Sequence, residues 1–281
     1  MEHRNKPIIV TGASSGIGHA IANDLLDKGC FVFAISSNEE KLTSAFEGKE
    51  NVKCVACDLG SYEDIERAIE IIKNSEEAKK GIFAIVNNAG VFPTPCSLVE
   101  ISKEEMERTF RVNYLGMWYI IRCCWPLYQL WIENNPSSKP CILNVTSVYG
   151  LIAAPFFGAY TCSKHAIEAM TDVLRRELTP LGVRVVVVEP GLTNTPMVDQ
   201  LFGESIKNIP QGPFYERIQN TAEEVRSLKL LPTSLVSGQV VKQLFATKPN
   251  TRVLVTWPTI RFGIRLVKWL LPDRWMDKLF K

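Results

Sequence analysis

Seven short β-branched runs recur along the chain, and longer amphipathic stretches separate them. The runs are "PIIVT" (7–11), "FVFAIS" (31–36), "VKCVAC" (52–57), "IFAIVN" (82–87), "CILNVTS" (141–147), "VRVVVVE" (183–189) and "RVLVT" (252–256). They are apolar almost without interruption, as expected of parallel strands covered on both faces. Helix-like periodicity fills 17–28, 62–79, 102–133, 158–180 and 234–247. Strand and helix alternating this often predict an α/β fold, a doubly wound seven-stranded parallel sheet with helices on both faces.

A chain of 281 residues can bury one sizeable core, and no internal repeat or low-complexity linker divides it. A single domain over 1–281 is the expected parse. The least regular stretch, about 192–232, carries several Pro and Gly and is expected to form a substrate lid. A net charge of +2, without a long basic run, argues against nucleic acid as a partner. The N-terminal residues enter a strand-like run directly, which does not fit a signal peptide. No uninterrupted apolar run approaches the ~18 residues of a membrane-spanning helix. The eight cysteines read as free thiols of a reducing compartment, so a cytoplasmic location is expected. Cys54 and Cys57 form a Cys-x-x-Cys, but three residues along a strand they point to opposite faces. With three histidines in the chain, no metal site is expected.

The first chemical signal is "VTGASSGIGHAIANDLL", which follows the first strand and opens a helix. Gly12, Gly16 and Gly18 give T-G-x-x-x-G-x-G. Glycine lets the backbone turn tightly and approach a pyrophosphate, and the helix N-terminus offers unpaired N–H groups. Gly18 would let helix and strand pack closely. Strand, turn and helix together point to a dinucleotide site on a Rossmann-type sheet.

Further motifs follow in order. Asp58 and Leu59 lie in "CDL" after the third strand, and "NNAG", with Asn88, Ala89 and Gly90, ends the fourth. Asn113 sits in "RVNYLG", and Ser147 in "NVTSVYG" ends the fifth strand. Tyr160 and Lys164 in "AYTCSK" follow thirteen and seventeen residues later. "EPGLTNT", with Pro190, Gly191, Thr193 and Thr195, follows the sixth strand. Singly, each is as well explained by turn, cap or packing needs. Together and in this order, they resemble the short-chain dehydrogenase/reductase family over roughly 7–196. The segment after Gly158 and the ending "LLPDRWMDKLF" also resemble the branch that handles retinoids and steroids.

The resemblance implies a nicotinamide-dependent oxidoreductase. Ser14, Ser15, Gly16 and Ile17 would lie along the phosphates, Asp58 and Leu59 at the adenine, and 190–195 at the nicotinamide. Tyr160 would be the proton donor to a carbonyl, or the acceptor from an alcohol. Ser147 would hold the substrate oxygen. Lys164 would bind the nicotinamide ribose and lower the pKa of Tyr160, since a nearby positive charge favours the anion. Asn113 would position a water that relays protons to Lys164.

The residues at the end of the second strand read the adenosine ribose: an acid suits NAD and a base suits NADP. Ser36 and Ser37 stand there, so neither determinant is present. Without an acid to repel a phosphate, the reading leans to NADP over NAD. Leu151, Ile152, Phe156 and Phe157, with Met197, Leu201, Phe202 and Phe214 of the lid, suit a lipophilic ketone or alcohol such as a steroid or retinoid. From 251 to 281, seven Lys/Arg against two Asp make a basic amphipathic tail, about 257–281, suited to peripheral membrane contact. The family resemblance implies a homodimer or homotetramer. Two other readings remain at this point. One is a regulatory protein that binds the cofactor but has lost turnover. The other is a sugar-nucleotide epimerase, which shares Tyr-x-x-x-Lys but usually carries T-G-x-x-G-x-x-G and a larger C-terminal domain.

Overall fold

The structure is a computed structural model and describes residues 4–209, 211–259 and 261. The basic tail read as a membrane contact falls almost wholly outside these residues. The strands are β1 (Pro7–Thr11), β2 (Phe31–Ser36), β3 (Val52–Ala56), β4 (Ala84–Asn87), β5 (Cys141–Val145), β6 (Arg184–Pro190) and β7 (Arg252–Val255). All neighbours pair in parallel, in the order β3-β2-β1-β4-β5-β6-β7. The order reverses between β1 and β4, and the crevice for a ligand opens there, beyond the strand C-termini.

Alternate residues of each strand feed opposite cores. Ile8, Val10, Val32, Ala34, Val86, Leu143 and Val186 meet α1 (Gly16–Asp27) and α9 (Thr233–Phe245) on one face. Ile9, Phe33, Ile35, Ile85, Ile142 and Val185 meet α3 (Tyr62–Lys73), α5 (Gly116–Asn134) and α6 (Gly158–Leu178) on the other. Cys54 packs on the first face and Cys57 on the second, as the strand period requires. Burial pushes the Cys57 thiol up to about 12, so it is not a poised thiolate.

Two helical regions depart from the sequence reading. The long stretch 102–133 is α4 (Lys103–Phe110), a π turn (Arg111–Leu115) and then α5. The stretch 192–232 is less irregular than its Pro and Gly content suggests: it holds α7 (Pro196–Gln200), a second π turn (Leu201–Ser205) and α8 (Tyr215–Ser227). Ile218 and Ala222 of α8 are buried, and Val225 packs on Ala154, Phe157 and Leu201. That i, i+4, i+7 stripe was present in the sequence but thin, because the other faces of α8 are strongly polar. A short α2 (Glu39–Ala45) follows β2 and is capped by Asn38, whose side chain accepts from Lys41 N at 2.8 Å.

Gly238 lies exposed within α9, and nothing within 4 Å would meet an added Cβ. Glycine costs a helix interior roughly 0.5–1 kcal/mol relative to alanine. Gly238→Ala is therefore expected to raise the midpoint of thermal unfolding by roughly 1–3 °C. A lower midpoint in calorimetry would show that α9 needs the glycine.

Candidate active site

The phosphate turn runs from β1 into α1. Gly12 (φ +68°) and Gly16 (φ +57°) adopt left-handed backbone that favours glycine. Gly18 has a different reason for being glycine. A Cβ there would lie 2.2 Å from Gly12 O and 2.6 Å from Asn88 Nδ2. A Cβ on Gly12 would meet Ala89 Cα at 2.9 Å. The turn is thus pressed between α1 and the loop after β4.

Hydrogen bonds weld that loop to β1. Thr11 Oγ1 accepts from Asn88 N at 3.0 Å and Ala89 N at 3.1 Å, and Asn88 Nδ2 donates to Thr11 O at 3.1 Å. One residue earlier, Asn87 Nδ2 donates to Asn144 Oδ1 on β5, and Asn144 Nδ2 donates to Thr171 Oγ1 on α6, each at 2.9 Å. These buried links fix β1, β4, β5 and α6 relative to one another at the site, since leaving any of them unpaired would cost ~1–3 kcal/mol.

Ser147 follows β5, and Tyr160 and Lys164 lie one turn apart on α6. The Lys164 ammonium donates to Val145 O at 3.2 Å and lies 5.4 Å from the centre of the Tyr160 ring. Burial lowers the pKa of Lys164 to about 8, with Glu168 opposing. Burial raises that of Tyr160 to about 12, against a hydrogen bond with Ser147, and Tyr149 adds to the rise. The expected lowering of the Tyr160 pKa is therefore not expressed in the protein alone. Desolvation outweighs it, and the ammonium is turned to a backbone carbonyl.

Asn113 occupies the π turn, a helix irregularity common at functional sites. It is fully buried. Its Oδ1 accepts from Val91 N at 2.7 Å, and its Nδ2 donates to Val91 O at 3.0 Å and Ser163 Oγ at 3.1 Å. Its side chain thus secures the β4 loop from behind. Gly90 is the contact between the two: a Cβ there would lie 3.2 Å from Asn113 Oδ1 and 3.7 Å from Lys164 Nζ.

One cleft of about 950 Å³ joins these parts. Of the sequence-derived residues, Gly12, Ser14, Ser15, Gly16, Ile17, Ser36, Ser37, Asp58, Leu59, Asn88, Ala89, Gly90, Ser147, Tyr160, Lys164, Pro190, Gly191, Thr193 and Thr195 all line it. Gly18 and Asn113 do not; they support the wall from beneath and behind. Ser14 Oγ and Ser36 Oγ are hydrogen-bonded at 2.9 Å. Asp58 accepts from Gly60 N at 2.8 Å, so its carboxylate also shapes its own turn. A Cβ on Gly16 would touch Thr195 Cγ2 at 3.1 Å, so the segment after β6 closes over the phosphate turn.

The apolar end differs in detail from expectation. Ile152, Phe157, Met197 and Leu201 line the cleft, whereas Leu151, Phe156, Phe202 and Phe214 are not part of its wall. Phe156 and Phe214 face each other with ring centres 6.4 Å apart, and Phe202 packs on the Ala154–Phe157–Leu201 cluster. Phe92, Tyr149, Val198 and Val225 take their places in the wall. The ring of Phe92 stands 4.3 Å from that of Tyr160. Nothing in the spacing of Phe92 marks it, because the loop after "NNAG" has no periodicity.

The short chain dehydrogenase family model matches residues 6–205. The chain belongs to that family. It is accordingly an NAD(P)-dependent oxidoreductase with a Rossmann-type sheet. The NADPH-dependent 3-dehydrocapnine reductase of Ornithobacterium rhinotracheale is 32% identical, over 97% of this chain and 95% of its own. The 17-beta-hydroxysteroid dehydrogenase type 6 of Bos taurus is 36% identical, over 94% of this chain and 84% of its own. Among solved structures, a short chain dehydrogenase/reductase from Burkholderia phymatum in complex with NAD matches with a TM-score of 0.78 at 24% identity, covering 95% of this chain and 94% of its own. One from Burkholderia cenocepacia in complex with NADP matches at 0.70 and 23%, covering 96% and 100%. At that identity they establish the fold. Among the described residues, no helix is long and apolar enough to cross a membrane.

Proposed function

We propose that the enzyme moves a hydride between NADP and a lipophilic ketone or alcohol, with Tyr160 as the general acid or base. The observation that carries this reading is the continuity of one cleft, from the Gly12–Gly18 turn to Ser147, Tyr160 and Lys164. The glycine cradle fits a dinucleotide: the two left-handed glycines and the Thr195 contact leave no room for side chains where phosphates would pass. Bound nicotinamide would supply or accept the hydride.

Each residue then has a task. Ser147 donates to the substrate oxygen, and this bond strengthens as negative charge develops there. Tyr160 delivers its proton to that oxygen in reduction and takes it back in oxidation. Lys164 supplies the positive charge that steadies a tyrosinate and holds the ribose hydroxyls. Asn113, whose side chain is committed to Val91 and Ser163, would position the water that relays protons to Lys164. Phe92, Phe157, Met197 and Leu201 form the apolar wall for the rest of the substrate, and the steroid dehydrogenase similarity agrees with such a substrate. The helices α7 and α8, with the π turn between them, would form the lid over it. The family's habit of pairing through its long helices makes a homodimer or homotetramer the expected assembly.

The lean to NADP rests on Ser14 and Ser36, a neutral hydroxyl pair where an acid would repel a 2′-phosphate. The NADPH dependence of the 3-dehydrocapnine reductase points the same way. In fluorescence titrations, NADPH is expected to bind more tightly than NADH. Ser36→Asp is expected to weaken NADPH by at least roughly tenfold through like-charge repulsion, and to favour NADH. A ketone and alcohol panel on the preferred cofactor then defines the substrate. Binding of neither cofactor overturns the reading.

A further inference from the structure

Behind Lys164 lies a charge cluster, buried at Glu168 and Glu189 and half-buried at its other members, that proton transfer through Tyr160 does not explain. Glu168 stands one helical turn beyond Lys164 on α6, on the same face. It is 6% exposed. Its Oε1 accepts from Thr146 Oγ1, and its Oε2 pairs with Arg252 Nη1 on β7. Arg252 also reaches Glu189 of β6 at 3.2 Å and Asp172 at 2.8 Å, and Arg175 holds Asp172 at 2.8 Å. Three carboxylates thus meet two guanidinium groups around Glu168. The buried cation nearest along the helix is Lys164, whose ammonium otherwise meets the neutral Val145 carbonyl.

The cluster also grips the backbone of the site. Thr146 stands between Val145, which accepts from Lys164, and Ser147, which faces the substrate. Gly150, in the turn after Ser147, is pressed onto the same carboxylate: a Cβ there would lie 3.1 Å from Glu168 Cγ. A buried ion cluster is poor evidence of stability, because well-packed apolar residues serve a fold as well or better. Its position beside a buried ammonium calls for a reason in the chemistry.

We propose that Glu168, clamped by Arg252 and Thr146, is a positioning residue that keeps Lys164 protonated and fixes the Val145–Ser147 strand end. The inference rests on the proposed role of Lys164 in the active site. Tyr160 and Glu168 face Lys164 from its own helix, and Tyr149 lies behind Tyr160 from the turn after β5. Glu189 on β6, Arg252 on β7, and Asp172 and Arg175 on α6 act through Glu168. Asn113 of the π turn and Gly90 of the β4 loop are neutral. Burial already lowers the pKa of Lys164 and Glu168 opposes that, so loss of the carboxylate frees the lysine's proton at lower pH.

The test is the pH profile of kcat/KM for ketone reduction at saturating NADPH, for wild type, Glu168→Gln and Glu168→Asp. In Glu168→Gln the alkaline fall in rate is expected about one pH unit lower, a tenfold change in the lysine's protonation ratio. Glu168→Asp keeps the charge and restores the profile. Should Glu168→Gln not fold, the double variant Glu168→Gln/Arg252→Gln removes both charges together and leaves no orphaned guanidinium. It is expected to show the same displacement. An unmoved alkaline limb in a folded variant overturns the proposal and reduces the cluster to scaffolding. Tyr160→Phe measured alongside separates the two ideas. Turnover retained there overturns the reading of the site itself. Turnover lost there, with an unmoved limb in the glutamine variants, overturns the role of Glu168 alone.

Discussion

Tyr160→Phe is expected to lower kcat by about 10³-fold or more while the affinity for NADPH changes less than about threefold. General acid–base catalysis contributes typically 10²–10⁴-fold, and this substitution removes its proton outright. The ring itself stays. It packs on Phe92 at 4.3 Å and on Tyr149 at 6.4 Å, and both contacts are apolar. The hydroxyl's bond with Ser147 is lost, but Ser147 Oγ still accepts from Tyr149 N at 3.1 Å, so the strand end keeps its shape. Cofactor contacts at the glycine turn lie at the other end of the cleft. Steady-state rates and a nucleotide titration on the same preparation check both halves of the expectation. Turnover within tenfold of wild type would sink the proposed mechanism. Loss of cofactor binding together with rate would show a packing role for the hydroxyl instead.

The same residue exposes a tension in the free protein. Reduction needs a neutral tyrosine with a proton to give, and a Tyr160 pKa raised to about 12 keeps it neutral. Oxidation needs the tyrosinate, which the buried pocket opposes. Lys164, at about 8, is itself near the point of losing its charge. On the proposed mechanism, oxidation would need further positive charge near Tyr160, which an oxidised nicotinamide would supply when bound.

Most of this arrangement was legible in the sequence, for a reason that can be stated. Parallel strands buried on both faces leave long apolar runs, and all seven were visible with ends correct to about two residues. Glycines forced by close approach stand out as letters, as Gly12, Gly16 and Gly18 do. A residue that must lie at a strand end, such as Ser147, is located by the strand. What stayed hidden has no period. The π turn at Arg111–Leu115 inserts one residue into a helix whose apolar pattern continues through it. Phe92 sits in an irregular loop. The Glu168–Arg252 pair is 84 residues apart in the chain, and the packing of α6 on the sheet together with the register of β6 with β7 brings the two together. Phe156 and Phe214 misled in the opposite direction. Read as lining or bordering the pocket, they lie outside its wall and face each other.

Gly18→Ala is expected to damage the enzyme more than its size suggests. The new Cβ would lie 2.2 Å from Gly12 O, 2.8 Å from Gly12 C and 2.6 Å from Asn88 Nδ2. Two of these are backbone atoms, which cannot swing aside as a flexible side chain does. Relief must come from moving α1 away from the turn or the turn away from Asn88. Moving α1 opens its packing on α9 and the sheet, where Ile21, Ala22 and Leu25 are fully buried. Moving the turn breaks the Asn88–Thr11 bonds that hold β4 to β1. Either route costs on the order of 1–3 kcal/mol or more. For a chain of this length that is a fall of roughly 2–8 °C in the thermal midpoint. The larger effect falls on the nucleotide. The N–H groups that would meet its phosphates belong to the displaced turn, and a misplacement near 1 Å can cost about a hundredfold in catalysis. NADPH affinity is accordingly expected to drop by at least roughly tenfold. Gly203→Ala is the control, since nothing lies within 4 Å of an added Cβ there. Calorimetry and nucleotide titration on the two variants decide the matter. Equal behaviour of the two would mean that the close contact at Gly18 is relieved at no cost, and the argument for a rigid phosphate cradle would fall with it.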